Sequence, residues 1–390
     1  MTYRFSQRIE KTPKSFIREI LKATSNPDMI SFAGGLPNPI SFPDEAINAA
    51  TNKVLKTDGK SVLQYSTTQG YLPLREYIAQ RYYDKNGISV SPDEILITNG
   101  SQQALDLIGK IFLDKDDDMI IERPGYLGAI QAFSIFEPNF IEVPVGKEGM
   151  DIDVLKSALL KDNAKLIYAV PNFQNPSGIT YSKENREAVA RLINKTNTVL
   201  IEDNPYGELR FKGKNQPSFK TYLGDQAILL GSFSKIVSPA MRMGWVCATG
   251  AIMDKLIIAK QASDLHSNYF SQRVLCQYLL DNDLDYHVEK IKDLYKRQCD
   301  CMIKCIKNDF PSDITITQPQ GGMFLWVTLP KKVSALKLFD RASKQNVAFV
   351  PGNPFYANRP ENNTLRLNYT NSSIADIKKG IAVLAGLLKD

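Results

Sequence analysis

Seven short apolar runs recur through the middle of the chain, each ended by proline, glycine, asparagine or serine. They are EILIT (94–98), MIIERP (119–124), FIEVPV (140–145), KLIYAVP (165–171), TVLIEDN (198–204), AILLGSF (227–233) and GWVCAT (244–249). Helical stretches such as KENREAVARLINKT lie between several of them. Strands this apolar avoid water when helices cover both faces of a mostly parallel sheet. The expectation is an α/β fold with a mostly parallel seven-stranded sheet sandwiched by helices in a large domain.

The pattern changes after about residue 285. A long charged helix (VEKIKDLYKRQCDCMIKCIKN) leads into ITITQPQGGMFLWVTL, a strand pair with turn residues between. Helix ALKLFDRASKQN, strands VAFVPG and TLRLNYT, and a last helix follow. These form a separate, smaller α+β unit. With 390 residues, two domains are the natural prior. We expect an N-terminal arm with part of the small domain over 1–44, a large domain over 45–285 and the small domain over 286–390. Residues before Asp44 are punctuated by proline and glycine and are expected to run along the surface.

Composition removes several function classes. The net charge of +6 is spread among acidic residues rather than gathered in a stripe, so no nucleic-acid surface is expected. No apolar stretch reaches the ~18 residues of a membrane span, and the polar start MTYRFSQRIEKTPKSF lacks the core of a secretory signal. The chain is therefore expected in the cytoplasm. Of the five cysteines, Cys299, Cys301 and Cys305 cluster on the long helix. Residues two apart on a helix diverge and no histidine lies nearby, so reduced thiols are expected and no metal. Two histidines leave a His-based triad poorly supplied.

Chemistry concentrates at the ends of the apolar runs. In LLGSFSKIVSPAMRMGW a small-residue turn presents Lys235, with Arg242 shortly after. An imine-forming lysine needs enclosure beside other cations to lower its pKa. Ser232, Ser234 and Arg242 could converge on a phosphate; the alternative is a plain loop with a solvated lysine. Asp203 ends a very apolar strand, where a carboxylate is costly unless paired. It either faces a ring nitrogen that must stay protonated, with Tyr206 near the same ring, or caps a helix. Asn175, in NPSG, either donates to a ligand or initiates a turn. Ser101 and Gln102 open a helix straight after a strand, a ready phosphate seat. Tyr126 either stacks on a planar ring or sits in the core. Arg366, in NTLRLNYT, either grips a carboxylate with its fork or faces outward. Each alternative stands alone, whereas the functional readings share one ligand, because a parallel sheet gathers its strand ends at one edge.

Taken together, GSFSK with MRMGW, EDNPY and NPSG resemble the fold-type I pyridoxal 5′-phosphate (PLP)-dependent aminotransferases, the aspartate aminotransferase superfamily. ISFAGGLPNPISFP, LQYSTTQG and ERPGYLGA are most similar to the kynurenine/2-aminoadipate aminotransferases and the aminotransferase-like domains of MocR regulators. The resemblance implies that Lys235 carries PLP as a Schiff base and Asp203 pairs with its ring nitrogen. Asn175 and Tyr206 would hold the phenolate oxygen and Tyr126 would stack on the ring. Ser101, Gln102, Ser232, Ser234 and Arg242 would bind the phosphate, and Arg366 the substrate α-carboxylate, with Asn175 beside it. Tyr65 matches a tyrosine lent to the neighbouring subunit's phosphate, which implies a homodimer with shared active sites. Gly35 and Leu36 match substrate-pocket residues. Arg18 matches an arginine that some members turn to the substrate side chain. Ser177 stands where threonine is commoner and keeps the hydroxyl.

The activity implied is transfer of an amino group from an L-amino acid (2-aminoadipate, aromatic or branched-chain) to a 2-oxo acid such as 2-oxoglutarate. One alternative is a PLP lyase or another PLP reaction on the same anchors. A second is a MocR-type ligand-sensing domain, although only about thirty residues precede FAGGLP, few for a DNA-binding domain.

Overall fold

The computed structural model describes residues 3–12, 28–160 and 163–389. All seven apolar runs form strands of one sheet. In chain order, β1 is Ile30–Ser31, β2 Ile95–Thr98, β3 Asp118–Arg123, β4 Asn139–Gly146, β5 Gly149–Met150, β6 Ala164–Ala169 and β7 Val199–Asp203. Then follow β8 Ala227–Ser232, β9 Gly244–Cys247, β10 Thr315–Ile316, β11 Phe324–Thr328, β12 Val347–Ala348, β13 Val350–Pro351 and β14 Thr364–Asn368. The large sheet has the order β2-β9-β8-β7-β6-β3-β4-β5.

Strands β8, β7, β6, β3 and β4 run parallel, while β9 lies antiparallel to both neighbours. The sheet is eight-stranded rather than seven-stranded. The extra member, β5, is two residues long and turns back on the end of β4 through Gly149 (φ +129°), too short to leave a periodic trace.

Alternate residues of the central strands feed two different cores, as the pleat dictates. Ile121, Leu166, Tyr168 and Ile201 belong to one buried cluster, and Ile120, Ile167 and Leu200 to another on the opposite face. Helix Ser101–Phe112 covers the first face and helix Lys183–Ile193 the second. With both faces apolar, only the strand ends are left for polar chemistry.

The smaller sheet has the order β10-β11-β14-β13, all antiparallel. The run VAFVPG is split: β12 leaves this sheet and pairs parallel with β1. Within the segment before Asp44, residues 30–38 are therefore not a surface run, while residues 3–10 are exposed. Phe32 and Ala33 are fully buried, because β1 uses the free edge of β12 and Phe32 packs under Gly380 of the last helix. Helix Leu284–Asp309 carries the cysteine cluster as one continuous element. All five cysteines are free, and no group of metal-ligating side chains occurs among the described residues. No helix among them is long and apolar enough to cross a membrane.

Candidate active site

A cavity of about 250 Å³ opens at the carboxyl edge of the large sheet, against the smaller sheet. Its lining includes Lys235, Asp203, Tyr206, Asn175, Tyr126, Ser101, Gln102, Ser232, Ser234, Arg242, Gly35 and Arg366. Leu36 and Tyr65 do not line it: Leu36 turns an exposed side chain outward, and Tyr65 is 79% exposed, edge-on to His266. Arg18 lies outside the described residues.

Strand β8 ends at Ser232, and a single 3-10 turn over Phe233–Lys235 swings the lysine into the cavity. Lys235 Nζ donates to the Gly35 carbonyl at 2.8 Å. Surrounding protein strips water from the amine, and the Arg366 and Arg242 charges add to this, lowering its pKa to about 8. An amine so placed has a sizeable neutral fraction near neutrality, as a nucleophile or base requires.

Asp203 closes β7 and is 1% exposed. Burial raises its pKa to about 7, opposed by a hydrogen bond in which Tyr168 Oη donates to Oδ2 at 2.7 Å. Its other oxygen, Oδ1, is buried without a partner. Such an atom is costly unless a donor is supplied from outside the chain.

Opposite lies Arg366 on β14, 1% exposed. Nη1 donates to Asn175 Oδ1 at 2.9 Å and Nη2 to the Ala33 carbonyl at 2.7 Å, while Nε has no partner. The guanidinium lies 4.2 Å from the Phe324 ring centroid. Burial lowers its pKa to about 10, and among the described residues no carboxylate pairs with it. A buried, uncompensated fork of this kind fits a carboxylate ligand.

The loop carrying Asn175 is tied from below. Gln174 Nε2 donates to Glu122 Oε2 at 3.0 Å and to the Pro124 carbonyl at 2.8 Å, and its Oε1 accepts from Ser177 N at 2.8 Å. Burial lifts the Glu122 carboxyl to about 7 despite donors from Gln174, Tyr181 and Val170. At the tip, Asn175 Nδ2 lies 3.4 Å from Tyr206 Oη, and the Tyr206 ring stands edge-on to Phe324.

The anion seat is at the far end. Helix Ser101–Phe112 starts directly after Gly100, whose φ of +79° favours glycine. A Cβ there would fall 2.6 Å from Arg242 Nη2, so only a bare backbone lets the guanidinium close over the helix start. Arg242 Nη2 donates to the Asn99 carbonyl at 3.0 Å, and Ser232 Oγ donates to Ser234 Oγ at 2.9 Å. Two hydroxyls, a guanidinium and a helix start form the kind of donor set that a phosphate would take.

Sequence reasoning did not find Tyr168, Phe324, Val170, Pro205 or Pro239, which also line the cavity. Nothing in an apolar strand marks one tyrosine as facing a carboxylate.

The residues present fit PLP. The partnerless Asp203 Oδ1 suits a protonated ring nitrogen, the Lys235 amine with its lowered pKa an aldehyde, and the Gly100–Arg242 seat a phosphate. The pattern of aminotransferase class I and II matches residues 34–384. An aromatic-amino-acid aminotransferase of Thermococcus litoralis is 40% identical, covering 99% of this chain and 94% of its own. A crystal structure of Pyrococcus horikoshii kynurenine aminotransferase, in complex with pyridoxamine phosphate and kynurenine, superposes with a TM-score of 0.94 at 40% identity, over 99% of this chain and 96% of that one. The Thermus thermophilus α-aminoadipate aminotransferase, complexed with N-(5′-phosphopyridoxyl)-L-leucine, gives a TM-score of 0.92 at 40% identity, over 99% and 97%. With likeness running the length of the chain, the protein belongs to the class I and II aminotransferases, as a PLP-dependent, fold-type I member of the kynurenine/2-aminoadipate kind.

Proposed function

We propose that the chain transfers the amino group of an L-amino acid of 2-aminoadipate, aromatic or branched-chain type to a 2-oxo acid such as 2-oxoglutarate. The observation that carries this reading is Arg366: a buried guanidinium with no carboxylate of its own, lining the same cavity as the Lys235 amine. It grips the α-carboxylate common to every amino acid and 2-oxo acid, with Asn175 setting its angle through Nη1. The names of the relatives, acting on aromatic, kynurenine and aminoadipate substrates, support the donor class.

When bound, PLP supplies an aldehyde that condenses with amines and an electron-accepting ring that stabilises negative charge at the neighbouring carbon. Lys235 would hold it covalently. Asp203 would keep a proton on the ring nitrogen through Oδ1, and Asn175 and Tyr206 would hold the phenolate oxygen. Tyr126 would lie on the ring, and Ser101, Gln102, Ser232, Ser234 and Arg242 would take the phosphate. The Lys235 amine, its pKa lowered to about 8, would offer a neutral fraction able to take the proton from the substrate Cα. Arg366 and Asn175 hold the carboxylate still during that transfer.

Gly35 borders the space beside Lys235 and would meet the substrate side chain. The exposed Tyr65, edge-on to His266, supports a homodimer in which Tyr65 reaches the partner's phosphate. Five free cysteines support a reducing, cytoplasmic setting.

The test is a half-reaction screen. Each amino acid is added to the PLP-loaded protein, and loss of the cofactor's visible absorbance is followed. Lys235→Ala should abolish amino transfer while some PLP stays bound. Undiminished turnover in that variant, or pyruvate and ammonia without amino transfer, would overturn the reading.

A further inference from the structure

A second, larger cavity of about 360 Å³ lies behind the active site, between the loop after β7 and helix Leu284–Asp309. Its volume is within the range of small-molecule sites. Arg210 lines it and is 7% exposed.

The buried cations of the described residues fall into two groups. Arg75, Arg186 and Lys260 each have a carboxylate within ion-pair distance: Asp93 at 3.3 Å, Glu202 at 3.9 Å and Asp264 at 2.6 Å. Arg210 and Arg366 have none. The likeness between these two goes further. Each has a partnerless Nε. Each gives Nη1 to a side-chain amide oxygen, Gln320 Oε1 at 2.7 Å for Arg210 and Asn175 Oδ1 at 2.9 Å for Arg366. Each lies over a phenylalanine, Phe173 at 4.7 Å and Phe324 at 4.2 Å. Burial, with the Arg186 charge nearby, lowers the Arg210 pKa to about 10, the same direction as at Arg366. Buried charges left unpaired are costly, so each is expected to have an anionic partner from outside the chain.

The acidic groups of the cavity are already engaged. Arg81 binds both Glu208 and Asp285, Lys85 binds Asp285 at 2.6 Å, and Lys292 binds Glu289 at 2.6 Å. Asn204, on the same wall, accepts from Asn172 Nδ2 at 2.9 Å through Oδ1, and its own amide nitrogen has no acceptor among the described residues.

We infer that this rear cavity is a second anion site, in which the Arg210 fork and the Asn204 amide take a small oxyanion, a carboxylate or a phosphate. Arg210 also anchors the stretch that ends under Arg366. Besides Gln320, its backbone bridges Gly321, and Phe324 follows shortly after.

The test uses the PLP-loaded protein and calorimetric titration with succinate and, separately, inorganic phosphate. Arg366→Gln silences the substrate site. Wild type should take two succinates per chain, Arg366→Gln one, and Arg366→Gln with Arg210→Gln none at about 10 mM. Whichever anion binds the Arg366→Gln protein more tightly names the class. Should Arg210→Gln fail to fold, Arg210→Lys keeps the charge but loses the fork and should weaken binding about tenfold. The inference is overturned if the Arg366→Gln protein binds neither anion, or binds equally well with position 210 changed. Amino transfer by the wild-type protein is measured alongside, so loss of the functional reading is seen separately from loss of this one.

Discussion

Tyr168 Oη donates to Asp203 Oδ2 at 2.7 Å and leaves Oδ1 of the same carboxylate as the one oriented, unused acceptor at the end of β7. Burial works against ionisation of this group, and the tyrosine works for it. Tyr168→Phe removes the donor, so the Asp203 pKa rises further. Activity needs the ionised carboxylate, so the acid limb of the pH–rate profile moves to higher pH. A hydrogen bond to a charged group is worth about 1.5–3 kcal/mol, so turnover near neutrality should fall roughly 10- to 100-fold. An unchanged acid limb would refute the role.

Arg366 has a separate signature. Arg366→Lys keeps a cation but loses the bidentate fork and the contact with Asn175. Truncating one partner of a buried charged pair costs about 2–5 kcal/mol, so kcat/KM for every amino donor should drop at least tenfold, whatever the side chain. Steady-state kinetics with two unlike donors check this. A loss confined to one donor would move Arg366 from the α-carboxylate to the side chain.

The pKa of Lys235 sets how fast the cofactor-free protein captures PLP. Only the neutral amine attacks an aldehyde, and its pKa is lowered to about 8. Capture, followed by stopped-flow absorbance, should accelerate as pH rises through about 8 and level off above it. A rate still climbing toward the ordinary lysine range would show an unperturbed amine.

Gly100→Ala places a methyl group 2.6 Å from Arg242 Nη2 and forces a side chain to φ +79°. The guanidinium must swing off the helix start. The expected result is PLP affinity about tenfold or more weaker, from loss of a charge-assisted phosphate contact. Catalysis at saturating PLP should be largely kept. Equilibrium dialysis of the cofactor decides it.

Glu122 links stability to pH. Burial raises its folded pKa to about 7 from the ordinary 4.5, so the unfolded chain releases the proton first. Stability from this group is therefore present below about pH 4.5 and is lost as pH rises to about 7, a change on the order of 3 kcal/mol. Glu122→Gln should remove that slope, read as denaturation midpoints across the window. An identical slope in the variant would assign it elsewhere.

Much of this site was legible because its residues stand where apolar strands stop. Asp203, Ser232 and Lys235 each follow a run too apolar to tolerate them anywhere but its end. Tyr168 was not legible for the same reason in reverse. It lies inside β6, where alternate positions face two cores that are both apolar, so the period carries no sign of which side holds Asp203. Arg210 carries no mark in the sequence, since its isolation from carboxylates is a property of the folded interior alone. Strand β5 was invisible because two residues show no alternation.

The pairing of Ile30–Ser31 with Val347–Ala348 has a consequence for biogenesis. A chain leaving the ribosome carries its first apolar hook from residue 30 onward with no edge to dock on until residue 348 has emerged. Throughout synthesis the large sheet can close while that hook stays open to chaperones or to neighbouring nascent chains. Premature stop codons anywhere before the last strands should therefore yield sticky fragments rather than a smaller working enzyme.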